Sequence, residues 1–238
     1  MIGCMILVIL VMGTLITRPS HPAAPSQTET ACTQEDLTIP GIDVSQFQGT
    51  IDWDAAAASG IQYAFVRIGA RGYQTGEIYE DTQFEANLEG ARNAGLKVGV
   101  YFFSQAISPE ETLEEAEYVL DTLNGRTLDL PVVFDFELPS DGSARTWTLE
   151  EGNIAAQADD FLSRIQQAGY QPMLYTNGQL SDLYQRNGTL DKWPIWYAEY
   201  GVETPDLCGI DIWQYTEAGQ VDGINANVDM NLMRKNYQ

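Results

Sequence analysis

Residues 131–137, Pro-Val-Val-Phe-Asp-Phe-Glu, show most plainly where this chain could do chemistry. The apolar residues read as a strand buried on both faces, and two carboxylates follow at i and i+2. Side chains alternate along a strand, so Asp135 and Glu137 leave from one face, their Cα atoms about 6–7 Å apart. An ionised acid in a buried strand is costly unless paired or solvated. The C-terminal end of a strand is also where barrel and open α/β enzymes keep their active sites. Neighbouring carboxyls push one another's pKa apart, so one can hold a proton near neutral pH. Glu137, with the longer reach, is expected to be the proton donor; Asp135 stays ionised or shares its proton. The plainer alternative is two solvated acids in the loop after the strand.

Elimination sharpens that reading. The 238 residues include one histidine, His21, and it lies in the N-terminal tail. A Ser-His-Asp triad, a Cys-His nucleophile and a histidine-rich zinc site are therefore excluded from the domain. No glycine-rich phosphate loop is present, so no cofactor or metal is expected and acid–base work falls to carboxylates. Lys and Arg number 12 against 34 Asp and Glu, a net charge of -22. Such a surface repels phosphate backbones, so nucleic acid is not an expected partner. It also makes any activity sensitive to salt and cations.

The elements that must position these acids alternate. Strands are predicted over residues 39–47, 63–69, 96–103, 131–137 and 172–176. Helices follow them at about 52–59, 81–94, 108–124 and 149–168, with a weak one at 178–184. Ser108-Pro109-Glu110-Glu111 supplies an N-cap, a proline at N1 and first-turn acids. Gly60, Gly95, Gly125 and Gly169 stand where helices should stop. Strands at 194–200 and 209–215 and a short strand or turn at 227–233 then come without helices of usual length. Alternation implies a mostly parallel sheet with right-handed crossovers. Eight strands is the number that closes a barrel filled by side chains. The expected fold is thus α/β, an irregular β/α barrel with five β/α units followed by three helix-free strands; an open doubly wound sheet is the alternative. Asp43 on the first strand, Asp135 and Glu137 on the fourth and Asp229 near the last could then converge on the barrel mouth. Strand ends add Tyr101, Phe103, Tyr175, Trp196, Tyr197, Trp213 and Tyr215, with Gln214 as a polar contact. Acids walled by rings suit a carbohydrate, whose apolar faces pack on aromatics while its hydroxyls meet carboxylates and amides. Two acids on one strand cannot easily flank opposite faces of a sugar ring, which favours attack by the substrate's own 2-acetamido group.

Residues 2–16 are nearly continuous apolar sequence, so 1–18 is read as a signal or anchor segment. The Pro-, Ser-, Thr- and Ala-rich residues 19–37 are read as a linker, and 38–238 as the catalytic barrel. The expectation is an exported protein, extracellular or held at the cell surface, touching membrane only through its N-terminal segment. Outside the cytoplasm Cys32 and Cys208 could pair; two unpaired thiols is the alternative.

Three ordered motifs resemble one family. Gly41-Ile42-Asp43-Val44-Ser45 with Gln48-Gly49 and Ile51-Asp52-Trp53 is similar to the opening of the family 25 glycoside hydrolases, lysozymes that act as N-acetylmuramidases. Asp135-Phe136-Glu137 resembles their Asp-x-Glu motif. Trp213-Gln214-Tyr215-Thr216, Gly219 and Val228-Asp229-Met230-Asn231 resemble their C-terminal signature. The resemblance spans about residues 39–233. It implies a β/α barrel that cleaves the β-1,4 bond between N-acetylmuramic acid and N-acetylglucosamine, with peptidoglycan glycan strands as the partner; apart from the resemblance, a monomer is the expected form. The resemblance also implies Glu137 as the acid, Asp135 as the residue orienting the acetamido group, and Asp43 and Asp229 as the remaining active-site aspartates. Tyr101, Phe103, Tyr175, Trp196, Trp213 and Gln214 are the expected substrate contacts. One departure is visible: many members carry a histidine at the end of the third strand, where this chain has Phe102 and Phe103. A non-catalytic glycan-binding domain and a hydrolase of another N-acetylated glycan such as chitin are the competing readings.

Overall fold

The computed structural model describes residues 36–139 and 142–237. Nine strands form one sheet: β1 (Leu37–Val44), β2 (Tyr63–Arg71), β3 (Ile78–Glu80), β4 (Lys97–Ser104), β5 (Val132–Phe136), β6 (Pro172–Asn177), β7 (Ile195–Ala198), β8 (Ile212–Gly219) and β9 (Val228–Arg234). Eight of them close a barrel in chain order, because β1 pairs with both β2 and β9, while β3 hangs as a hairpin strand on β2. The neighbours from β1 through β8 are parallel, and β9 runs antiparallel to both β8 and β1. The expected barrel of eight strands is therefore the observed one. The hairpin strand β3 was not expected: three residues just after the turn at Gly76 carry no periodicity to detect.

Helices α1 (Trp53–Ala58), α2 (Phe84–Asn93), α3 (Pro109–Leu123), α4 (Glu151–Gln167) and α5 (Ser181–Arg186) occupy the crossovers, and none follows β7 or β8. α3 starts as its sequence dictates: the Ser108 hydroxyl accepts from the Glu111 N–H, Pro109 needs no donor of its own, and Asn124 ends the helix in the left-handed region. α2 begins three residues later than the sequence suggested. Asp81, the expected first residue, instead accepts from the N–H groups of Gln83 and Gln46 and from Arg67 Nε.

Alternation along each strand makes two cores. Tyr63, Phe65, Val133, Met173, Trp196, Ile212 and Met233 fill the barrel interior. Val66, Val100, Phe134, Phe161 and Leu174 belong to the larger core between barrel and helices. Gly41 and Gly99 make the interior possible. A Cβ on Gly41 would strike the Tyr63 ring, and one on Gly99 would strike Phe65 and lie 2.7 Å from the Pro131 carbonyl oxygen.

Cys208 is disulfide-bonded, while Cys32 lies outside the described residues. So does the apolar segment 1–18. Among the described residues no helix is long and apolar enough to cross a membrane.

Candidate active site

Two strand pairs bring the four acids to one end of the barrel. On β5, Val132, Phe134 and Phe136 face the helices, so Val133, Asp135 and Glu137 must face inward. β5 pairs with β4 as far as Ser104↔Phe136 but with β6 only to Phe134↔Leu174, so its acidic end is unpaired on one side. On the far side, Asp43 and Asp229 are direct cross-strand partners of β1 and β9. Because β9 is reversed, its first residues lie beside the C-terminal end of β1. Like charges placed opposite each other on a ladder repel, and a shared proton relieves that repulsion.

Asp43, Asp135, Glu137 and Asp229 line one cavity of about 240 Å³ with Tyr101, Phe103, Tyr175, Trp196 and Gln214. That volume is below the ~300–1,000 Å³ of ordinary small-molecule sites. Trp213 is the expected contact that the fold places elsewhere. Gln214 points inward, so its neighbour must point out, and Trp213 packs in the outer core with its indole N–H donating to the Glu199 carbonyl at 2.8 Å. Tyr197 points outward for the same reason, donating to Asp206 at 2.7 Å. Where the resemblance anticipated a histidine, Phe103 is the ring in the cavity and Phe102 lies in the outer core.

A hydrogen-bond net fixes the Asp43 side. Gln214 accepts from the hydroxyls of Tyr175 (2.9 Å) and Tyr200 (2.6 Å) through Oε1, which leaves its Nε2 to donate to Asp43 Oδ2 at 2.9 Å. Asn231 accepts from Trp196 Nε1 and donates to the same Asp43 oxygen, both at 2.8 Å. Burial and then Asp229 hold the Asp43 carboxyl well above the usual range, against the opposing pull of the two amides. Asp135 is likewise raised well above it, by burial first and then by Glu137, and its Oδ1 has no protein partner. Glu137 is raised by burial, then by Asp229 and Glu217; Asp229 is raised by burial as well. Carboxyls gathered in this way bind protons above the usual carboxylate range, and a protonated Glu137 can serve as an acid.

Four lining residues escaped the sequence reading. Tyr200, Glu217, Phe47 and Arg67 all border the cavity. Tyr200 was within reach, since counting by two from Trp196 through Ala198 points it inward. Glu217 lies beyond a register shift between Gln214 and Thr216, which breaks that count. Gln48, in the expected motif, proves to be a fastener as well as a lining residue. Its side chain accepts from the Ser45 N–H at 2.8 Å and donates to the Asn227 carbonyl at 3.1 Å, tying the end of β1 to the β8–β9 loop. Among the described residues no group of acidic, Cys or His side chains is arranged to hold a metal ion.

A closed β/α barrel with carboxyls and rings crowded at its mouth is the architecture of a glycoside hydrolase. The chain matches the model for glycosyl hydrolases family 25 over residues 42–224, and it belongs to that family. It is 29% identical over 195 residues to the autolytic lysozyme of Clostridium acetobutylicum, covering 81% of this chain and 55% of that protein, so it spans about half of that relative's length. It is 30% identical over 203 residues to lysozyme M1 of Streptomyces globisporus, covering 81% and 67%. Among solved structures, the bacterial lysozyme from Streptomyces coelicolor superposes with a TM-score of 0.71 at 29% identity, covering 82% and 92%.

Proposed function

We propose that this chain is a peptidoglycan muramidase that cleaves the β-1,4 bond between N-acetylmuramic acid and N-acetylglucosamine by substrate-assisted catalysis. The observation that carries the reading is the single cavity holding Asp135 and Glu137 on one wall and the Asp43–Asp229 pair on another. Glu137 gives its proton to the bridging oxygen as the bond to the anomeric carbon breaks. The acetamido carbonyl oxygen of the same sugar closes on that carbon, and Asp135, with an oxygen free of protein partners, accepts from the acetamido N–H. Water then opens the ring formed, losing a proton to Glu137 and restoring it. Asp43 and Asp229 hold the ring, while burial and the charges of Asp229 and Glu217 favour the protonated form of Glu137. Tyr101, Phe103, Tyr175, Trp196 and Gln214 are the proposed substrate contacts. All four acids in one place speak against a domain that only binds glycan.

The purified domain should clear a peptidoglycan suspension and leave muramic acid at the new reducing ends. Glu137→Gln should reduce turnover by at least the ~10²–10⁴-fold that general acid catalysis supplies, with the fold kept and a melting temperature no lower than that of wild type. Clearing that persists in this variant removes Glu137 as the acid, and N-acetylglucosamine reducing ends would redirect the specificity. We also propose that residues 1–18 direct export or tethering of a monomeric enzyme, because its substrate lies outside the membrane. Fractionation of cells making the full chain should find it in the medium or at the envelope; a cytosolic pool with residues 1–18 intact would overturn this.

A further inference from the structure

Beside the acid cavity lies a groove of about 510 Å³ that shares Phe47, Arg67 and Phe103 with it and continues along Tyr73 and Tyr79. Its rings face water: Phe47 is 72% exposed, Tyr79 46% and Tyr73 42%. Arg67 stands at the junction. Its Nε donates to Asp81 Oδ2 at 2.7 Å, and its guanidinium carbon lies 4.9 Å from the centre of the Phe47 ring. Among the described residues neither Nη nitrogen has a hydrogen-bond partner. Arg71 also borders the groove but is fully engaged by Glu114, Glu115 and the carbonyls of Gly76 and Glu111.

We propose, resting on the muramidase reading, that this groove receives the acidic peptide arm of the muramyl residue bound next door, and that Arg67 contacts a carboxylate of that arm. A chain of N-acetylglucosamine gives a cation nothing to pair with; a stripped muramyl residue brings one lactyl carboxylate close to its ring, and the peptide arm brings carboxylates farther from it. The groove has two acids of its own, Glu80 and Asp81, of which Asp81 is paired with Arg67; the cavity beside it has five, Asp43, Asp135, Glu137, Glu217 and Asp229, and is the less hospitable of the two to an anion. Arg67 borders the groove with a side chain that is 14% exposed and makes its hydrogen bond through Nε, leaving two Nη nitrogens, and a guanidinium can pair with a carboxylate through two N–H donors. Phe47, Tyr73 and Tyr79 offer the apolar wall on which the arm's alkyl side chains would lie.

The test compares glycan chains bearing peptide arms with the same chains stripped by an amidase, following release of reducing ends. Wild type should show a KM lower by about tenfold or more for the armed chains, the size of one charge-assisted hydrogen-bonded contact. Arg67→Gln and, separately, Phe47→Ala should erase that preference, while Arg67→Lys restores part of it. Equal KM values for the two substrates in wild type overturn the inference, as do variants that weaken both substrates alike. Stripping leaves a free lactyl carboxylate, so a preference for stripped chains would hand Arg67 to that group and overturn the peptide assignment. Calorimetric titration of a disaccharide-peptide against the bare disaccharide separates this inference from the muramidase reading. Were neither chain cleaved, tighter and Arg67-dependent binding of the disaccharide-peptide would sustain the groove while sinking the hydrolase; equal binding would sink the groove.

Discussion

Asp43 is a carboxyl that folding takes from water and sets against another carboxyl. Its pKa lies well above the ordinary value because burial and Asp229 both disfavour its charge. In the unfolded chain it ionises near pH 3.8–4. A group raised by folding contributes stability that is full below its unfolded pKa and is lost as the pH climbs through its folded one. Asp135, Glu137 and Asp229 are raised too and act in the same direction. The site should therefore cost the fold most at neutral pH and least in acid. Asp43→Asn imitates the protonated acid, accepting from Gln214 and Asn231 and donating to Asp229. We expect this variant to melt higher than wild type at pH 7, by about 2–4 °C for each kcal/mol regained, and at the same temperature near pH 3, while losing activity. Equal displacement at both pH values in thermal unfolding would refute the origin assigned to it.

Elements place these residues through a rule of two, and the rule sets what the sequence could disclose. Counting along β5 was enough to put Asp135 and Glu137 on one face, and the first three crossovers were visible from glycines and caps. Trp213 and Tyr197 were misplaced because ring count was weighed above parity: each sits one step from an inward residue and must point out. Glu217 could not be read, because the shifted register of β8 hides its direction. The direction of β9 was equally silent, since a strand's pattern is the same read either way. Packing between neighbouring strands inside the barrel was hidden as well. Gly99 looks like an ordinary weak spot in a strand, yet it is the gap that Phe65 occupies. Gly99→Ala should lower stability by about 1–3 kcal/mol, the usual cost of overpacking, measured from the denaturant midpoint. Adding Phe65→Leu should return part of that loss, because the two residues share one space.

At the scale of the whole molecule, the fold class was legible from the alternation of elements, and Asp43, Asp135 and Glu137 from their places at strand ends; Asp229, near the start of β9, was legible only through the resemblance, because the reversal of that strand leaves no mark in its pattern. The groove beside Arg67 was not legible, for its walls come from a short hairpin and a loop whose shape no periodicity records. The reversed last strand has a temporal consequence. Asp229 reaches Asp43 only because the final segment slots in between the first and the eighth strands and closes the ring. A chain lacking its last dozen residues would hold Asp43, Asp135 and Glu137 but neither Asp229 nor the strand that closes the ring, so the site is completed only when the last strand is in place.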